Sequence, residues 1–223
     1  MNFKLLYVFR LIITPILSGL FLFHSFTVSA TYHKYSESWG KAGYTVESQN
    51  SSGILINYSI SEFSIKDIEV NGQIFQNLEL PGNFLPGNAG EPNLPGSGRY
   101  IAIPQGAQVN MSIVSYRSET FNNILLAPAF RIPWSNENGK LVYQKNESIY
   151  STNKFFPEEP IVLSKAELIR GIDVAMLGIT PFHYNPVTQQ LIVYHDLKIE
   201  VSFTGGNGHF GNDKLRSRWW DPM

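Results

Sequence analysis

Toward its C-terminal end the chain alternates. Leu191, Val193, Leu197, Ile199, Val201 and Phe203 fall on one parity, and from Asp196 onward polar residues fill the other. A period of two is that of a strand with one face in a core and one in water. Upstream, Val174, Met176 and Ile179 lead into Pro181-Phe182-His183-Tyr184, and Asn185-Pro186-Val187-Thr188 interrupts the run. Asn bonds its own backbone and Pro presets φ, so the interruption is a turn. Residues 170–206 are therefore expected to form two or three strands.

The same pattern recurs earlier. Residues 54–63 alternate Ile54, Ile56, Tyr58 and Ile60 against Leu55, Asn57, Ser59 and Ser61, which predicts one strand; 63–70 predicts a second, and 44–49 a short one. Asn71-Gly72, flanked by Ile68-Glu69-Val70 and Gln73-Ile74-Phe75, is the strongest hairpin signal in the chain. Residues 80–99 are dense in Pro and Gly. Phe84, Leu85 and Leu94 recur inside them, so an ordered loop laid over a sheet is expected rather than a linker. Tyr100-Ile101-Ala102-Ile103 reads as a strand cut at Pro104. A turn at Gln105-Gly106-Ala107 follows, then a strand over 109–118 with Val109, Met111, Ile113 and Ser115 on one parity. Leu141-Val142-Tyr143, Ile161-Val162-Leu163 and residues 165–169 read as further short strands. No segment keeps a 3.6-residue apolar period over ten residues. The expected fold is all-β: an antiparallel β-sandwich, jelly-roll-like.

Composition narrows the function classes. Of 223 residues, 43% are hydrophobic and 16% charged, enough apolar side chain for a packed core. The net charge of −1 makes no electrostatic case for nucleic acid or an anionic membrane. There is no cysteine. That removes disulfides, thiolate metal sites and a thiol nucleophile, so the chain cannot itself be a cysteine peptidase.

Residues 1–30 read as a secretory signal. Lys4 and Arg10 supply positive charge, a largely apolar stretch spans 11–28, and Val28-Ser29-Ala30 offers a small-residue cleavage site at Ala30. A membrane anchor is the alternative, and Pro15 and His24 count against it. Nothing later is long and apolar enough to span a bilayer, so no stable span is expected once the signal is removed.

Candidate chemistry is sparse. His33, His183, His195 and His209 show no metal-ligand spacing, and no cofactor or metal is expected. His195-Asp196 suggests a catalytic pair, yet neighbours in a strand point to opposite faces and are not expected to converge. There is no G-x-S-x-G elbow. The run from Gly205 to Gly211 lacks the Lys-Ser/Thr of a phosphate loop and reads as a hinge.

A set of short motifs carries a resemblance. They are Gly90-Glu91-Pro92-Asn93-Leu94-Pro95, then Arg99-Tyr100-Ile101-Ala102-Ile103-Pro104-Gln105-Gly106-Ala107, then Ala127-Pro128-Ala129. Phe155-Phe156-Pro157, Arg170-Gly171, the Pro181–Pro186 stretch and the apolar run from Leu191 to Tyr194 follow in order. In order and spacing they resemble the gingipain-type prodomain, the N-terminal propeptide of a family of secreted caspase-like cysteine peptidases. About half of the chain beyond residue 30 is covered.

The resemblance implies a β-sandwich that assists folding of a following catalytic domain and blocks its active site, in cis or in trans, until cleaved. It implies a loop that enters the substrate cleft, with a basic residue in the specificity pocket of arginine- and lysine-specific members. The matching stretch here is 131–153, whose candidates are Lys140 first, then Lys145, then Arg131. Solvated surface charge is the alternative for each. Relatives continue into a domain with a His–Cys pair, whereas this chain stops at Met223 without a cysteine. A fragment of a longer precursor is expected, with a stand-alone prodomain as the alternative. Residues 1–30 would be the signal, 31–204 the prodomain and 205–223 the linker, with Lys214, Arg216 and Arg218 as processing candidates. Trp219-Trp220 would pack on the following domain. The expected location is secreted, periplasmic or cell-surface. A competing function is a carbohydrate or adhesion module using Trp134, Tyr143 and Tyr150.

Overall fold

A computed structural model of the chain describes residues 29–83, 87–135 and 139–211. Ala30 lies at its start. The rest of the expected signal, Phe84, Leu85, Lys214, Arg216, Arg218 and the Trp219-Trp220 pair lie outside the described residues.

Among the described residues the alternating stretches become twelve strands. They are β1 (Ala30–Lys34), β2 (Gly43–Asn50), β3 (Gly53–Ser59), β4 (Glu62–Val70), β5 (Gln73–Glu79), β6 (Ser97–Ile103), β7 (Ala107–Phe121), β8 (Ile161–Leu163), β9 (Glu167–Ile169), β10 (Ile172–Ile179), β11 (Phe182–Asn185) and β12 (Gln190–Gly205). One helical turn, α1 (Glu147–Tyr150), is capped by the Asn146 side chain, which accepts from the Ser148 N–H at 3.2 Å.

All ladders between these strands are antiparallel, in three sheets. One sheet has the order β1-β4-β5, and a second β6-β10-β8 with β9 also on β10. In the third, β12 is the centre. β7 runs along one side of it, β11 and then β3 share the other, and β2 lies outermost. Leu191, Val193, Leu197, Ile199 and Val201 of β12 are fully buried. They pack in one core with Ile101 and Ile103 of β6, Ala175, Leu177 and Ile179 of β10, and Phe63 of β4. Each such side chain contributes about 1.5–3 kcal/mol relative to exposure. The all-β sandwich expected from the alternation is what forms.

The turns follow their residues. Asn71 (φ 52°) and Gly72 (φ 80°) close the β4–β5 hairpin, and Arg170 (φ 51°) and Gly171 (φ 81°) close β9 onto β10. Two positive φ values in a two-residue loop match the right-handed twist of the strands.

Two expectations need correction. Residues 54–63 are not one strand. β3 ends at Ser59, Ile60 donates its N–H to the His195 carbonyl at 2.8 Å, and β4 then starts in a different sheet. Leu141-Val142-Tyr143 is not a strand either; it contributes a single bridge between Val142 and Arg131. In β10, Ala175 and Leu177 face the core and Met176 is exposed.

Candidate functional site

The stretch after β7 is tied down at every step until it leaves the body. Gln76 and Leu125–Ala127 exchange backbone bonds: Gln76 N–H to Leu125 O and Ala127 N–H to Gln76 O, each 2.8 Å. Asn93 donates its N–H to Ala127 O at 3.0 Å, and Ala129 donates to Glu91 O at 2.7 Å. Tyr184 donates its hydroxyl to Ile124 O (2.9 Å) and Tyr150 donates to Leu126 O (3.2 Å). Burial pushes both phenols up, which keeps them protonated donors.

Beyond this, Arg131 and Val142 form a backbone clasp, with N–H to O distances of 2.8 and 3.1 Å. The outgoing arm returns when Asn146 donates to Gly90 O at 2.8 Å. Gly90 has φ +90°, and a Cβ there would meet Gln144 O at 2.8 Å, so the motif glycine is a clamp at the loop base. Residues 132–135 and 139–141 lie beyond this anchor and are mostly exposed.

The basic candidates sit differently on it. Lys140 is exposed, next to Gly139 (φ 70°), and makes no hydrogen bond or ion pair with the described residues. Lys145 is half-buried, its ammonium 4.9 Å from the Phe75 ring centre and 5.3 Å from that of Tyr150. Arg131 lies at the clasp, its Nη1 donating to Ile132 O at 3.3 Å and its guanidinium 5.9 Å from the Trp134 ring. Ile132 and Trp134 are 75% and 71% exposed; the exposed Ile132 left no signal in the sequence. The aromatics considered for carbohydrate make no shared platform. Trp134 is exposed, but Tyr143 packs edge-on against Phe130 at 5.9 Å and Tyr150 is turned into the body.

A second constellation lies elsewhere, where His195 and Asp196 do converge, contrary to expectation. The β12–β7 register slips between Tyr194 and Asp196, leaving His195 as the extra residue of a bulge. A bulge breaks strict alternation, and His195 Nδ1 comes within 3.0 Å of Asp196 Oδ2. The Asp196 side chain is wholly buried. It accepts from Ser59 Oγ (2.7 Å), the Trp39 N–H (2.9 Å), and Arg117 Nε (2.9 Å) and Nη2 (2.5 Å).

Arg117 Nη2 also donates to the Glu37 carbonyl, and the Arg117 guanidinium lies 5.3 Å from the Trp39 ring. Tyr35 stacks on His195 at 4.3 Å and donates to Glu119 at 2.9 Å. Burial pushes the Asp196 carboxyl up, but the bonds from Trp39, Ser59 and Arg117 outweigh it and hold it below the usual carboxylate range. Ser59 donates to the carboxylate and not to the imidazole. No hydroxyl is activated by a base, so the cluster pins residues 35–39 to the sandwich and does no Ser–His–Asp chemistry.

His183 is also buried. Its Nδ1 lies 3.3 Å from the Tyr194 hydroxyl, its Nε2 has no hydrogen-bond partner, and burial holds its pKa low. Among the described residues no cluster of three or more His, Asp or Glu is placed to hold a metal, and no helix is long and apolar enough to cross a membrane. A groove of about 680 Å³ lies between the outer strands β2 and β6. It is lined mainly by Tyr44, Val46, Ile54, Tyr100, Ile101 and Phe210, with Arg99 its one charge. Its hydroxyls belong to Tyr44, Ser51 and Tyr100, and its lining holds no carboxylate or imidazole.

Comparison with known proteins follows the loop and the fold. A family model described as Propeptide_C25 matches residues 41–212. Lys-gingipain HG66 of Porphyromonas gingivalis is 27% identical over 157 residues, covering 68% of this chain and 9% of that protein. The chain thus spans a small fraction of that relative's length. Among solved structures, the complex of Porphyromonas gingivalis RgpB pro- and mature domains matches with a TM-score of 0.67 and 22% identity, over 76% of this chain and 87% of the other. A structure addressing zymogenic latency of gingipain K from the same organism matches with a TM-score of 0.65 and 24% identity, over 80% and 100%. At these identities the likeness establishes a shared fold.

Proposed function

Since this chain belongs to the Propeptide_C25 family, we propose that it is the inhibitory, fold-assisting propeptide of a secreted gingipain-like cysteine endopeptidase. As a propeptide without cysteine, the chain is not the peptidase itself. Its partner is the peptidase's catalytic domain, of caspase-like fold, engaged in cis or in trans. One observation carries the reading: Lys140, exposed and without a polar partner among the described residues, stands on a loop whose two arms are clamped by Gly90, Glu91 and Gln76.

A loop held this way enters a cleft already ordered, so little further entropy is lost on binding. Covalent continuity with the peptidase raises the local concentration, so modest affinity suffices. Lys140 is the residue for the specificity pocket. Lys145 is less suited because its ammonium already lies over two rings, and Arg131 because its backbone forms the clasp. Signal cleavage after Ala30 would leave Thr31–Lys34 paired with β4. Cleavage in the basic stretch of Lys214, Arg216 and Arg218 would release the peptidase to the periplasm, cell surface or medium.

The test adds the purified chain to the catalytic domain of a gingipain-like cysteine peptidase. Inhibition in the nanomolar-to-micromolar range is expected. Lys140→Ala should weaken it by about thirtyfold, the scale of an interface hot spot. Lys145→Ala should leave the inhibition constant within about twofold. Failure of the unaltered chain to inhibit, or hydrolysis of a peptide by the chain alone, would refute the proposal.

A further inference from the structure

The clasp fixes more than the position of Lys140. Arg131 and Val142 face each other in an antiparallel bridge. One step inward, Phe130 and Tyr143 pack edge-on, 5.9 Å between ring centres, and Tyr143 joins the small cluster of Val70, Phe75 and Ala127. One step outward, the same register sets Ile132 opposite Leu141. Side chains two apart on a strand share a face, and opposed residues in an antiparallel pair share it too. Ile132 and Leu141 therefore continue the apolar ladder of Phe130 and Tyr143, but past the edge of the body. Ile132 is 75% exposed and Leu141 48%. Tyr143, one rung in, is half-buried. An apolar rung held in water by a rigid anchor costs solvation and gains nothing within the isolated chain.

We infer that Ile132 and Leu141 form an apolar clamp that seats the loop against aliphatic or aromatic walls of the peptidase cleft, beside the pocket that takes Lys140. The inference rests on the loop reading given above. Leu141 directly follows Lys140, so in a substrate-like pose it stands where a substrate presents the residue after the scissile bond. The cleft is then adapted to an apolar residue there as well as to a basic residue before it. The occupant of this face is the peptidase, and the ladder's continuity with the anchored base sets its direction.

The full chain and the catalytic domain of a gingipain-like cysteine peptidase provide the test. Ile132→Ser combined with Leu141→Ser should weaken inhibition by about tenfold to a hundredfold, the scale for withholding one or two apolar side chains from a buried contact. The Tm of the isolated chain should stay unchanged, because both side chains are exposed in it. Ile132→Val combined with Leu141→Met should retain inhibition within about threefold. In parallel, the peptidase should cleave a peptide with Leu after the scissile Lys faster than the same peptide with Ser there.

Weakening below twofold by the Ser pair, while Lys140→Ala still costs tenfold or more, overturns the clamp and leaves the loop reading intact. Equal cleavage of the two peptides counts against the clamp in the same way. If neither the Ser pair nor Lys140→Ala changes the inhibition exerted by the unaltered chain, the inhibitory element lies elsewhere and both readings fall.

Discussion

Asp196 is the side chain with the most at stake. It is wholly buried, ionised, and bonded to groups from three separate stretches of chain: Trp39, Ser59 and Arg117. Neutralising it leaves Arg117 and the Ser59 hydroxyl facing a poorer acceptor. Asp196→Asn is expected to destabilise by about 3–5 kcal/mol, the usual cost of breaking a buried charge pair from one side. The pH dependence has a definite sign. The folded pKa lies below the unfolded value of about 3.9, so the stabilisation is complete above that value and disappears as pH falls through the folded one. Thermal unfolding from pH 7 to pH 2 should show a steep acid loss that the Asn variant lacks. Parallel curves for the two proteins would contradict this account of the cluster.

At the level of elements, the ladder between β3 and β12 depends on one missing side chain. Gly53 lies opposite Ser202, and a Cβ at Gly53 would meet Val201 O at 2.5 Å. Glycine inside a strand marks such a close backbone approach. Gly53→Ala must push the ladder apart and is expected to cost about 1–3 kcal/mol, read as a lower denaturant midpoint at unchanged slope. The same strands show where the sequence could be read and where it could not. The β12 face and the Asn71-Gly72 hairpin are local patterns, visible within a dozen residues. The bulge at His195 is not local, because it exists only in register with Arg117 and Ser118 of β7. Without it, alternation separates His195 from Asp196, which is why their meeting went unforeseen. Lys140 was legible as an exposed basic residue beside a glycine. The rung of Ile132 and Leu141 was not, since it needs the Arg131–Val142 pairing to bring the two arms opposite each other.

For the whole molecule, the decisive fact is the place of β12. It joins β7, β11 and β3 and fills the centre of the core with Leu191, Val193, Leu197, Ile199 and Val201. A chain ending at Thr188 loses all of this together. It should show no cooperative melting transition and no protected core amides in hydrogen exchange, whereas the full chain shows both. A stable truncated form would mean that the other two sheets fold alone. The order of synthesis gives this a further consequence. A ribosome delivers β12 after the other described strands, so β3 and β7 wait for their shared neighbour until more than a hundred and thirty residues past β3 have emerged. Contacts of such long sequence separation form late and slowly. Until β12 emerges, the nascent chain lacks the strand that joins β3 to β7 and must stay open between them.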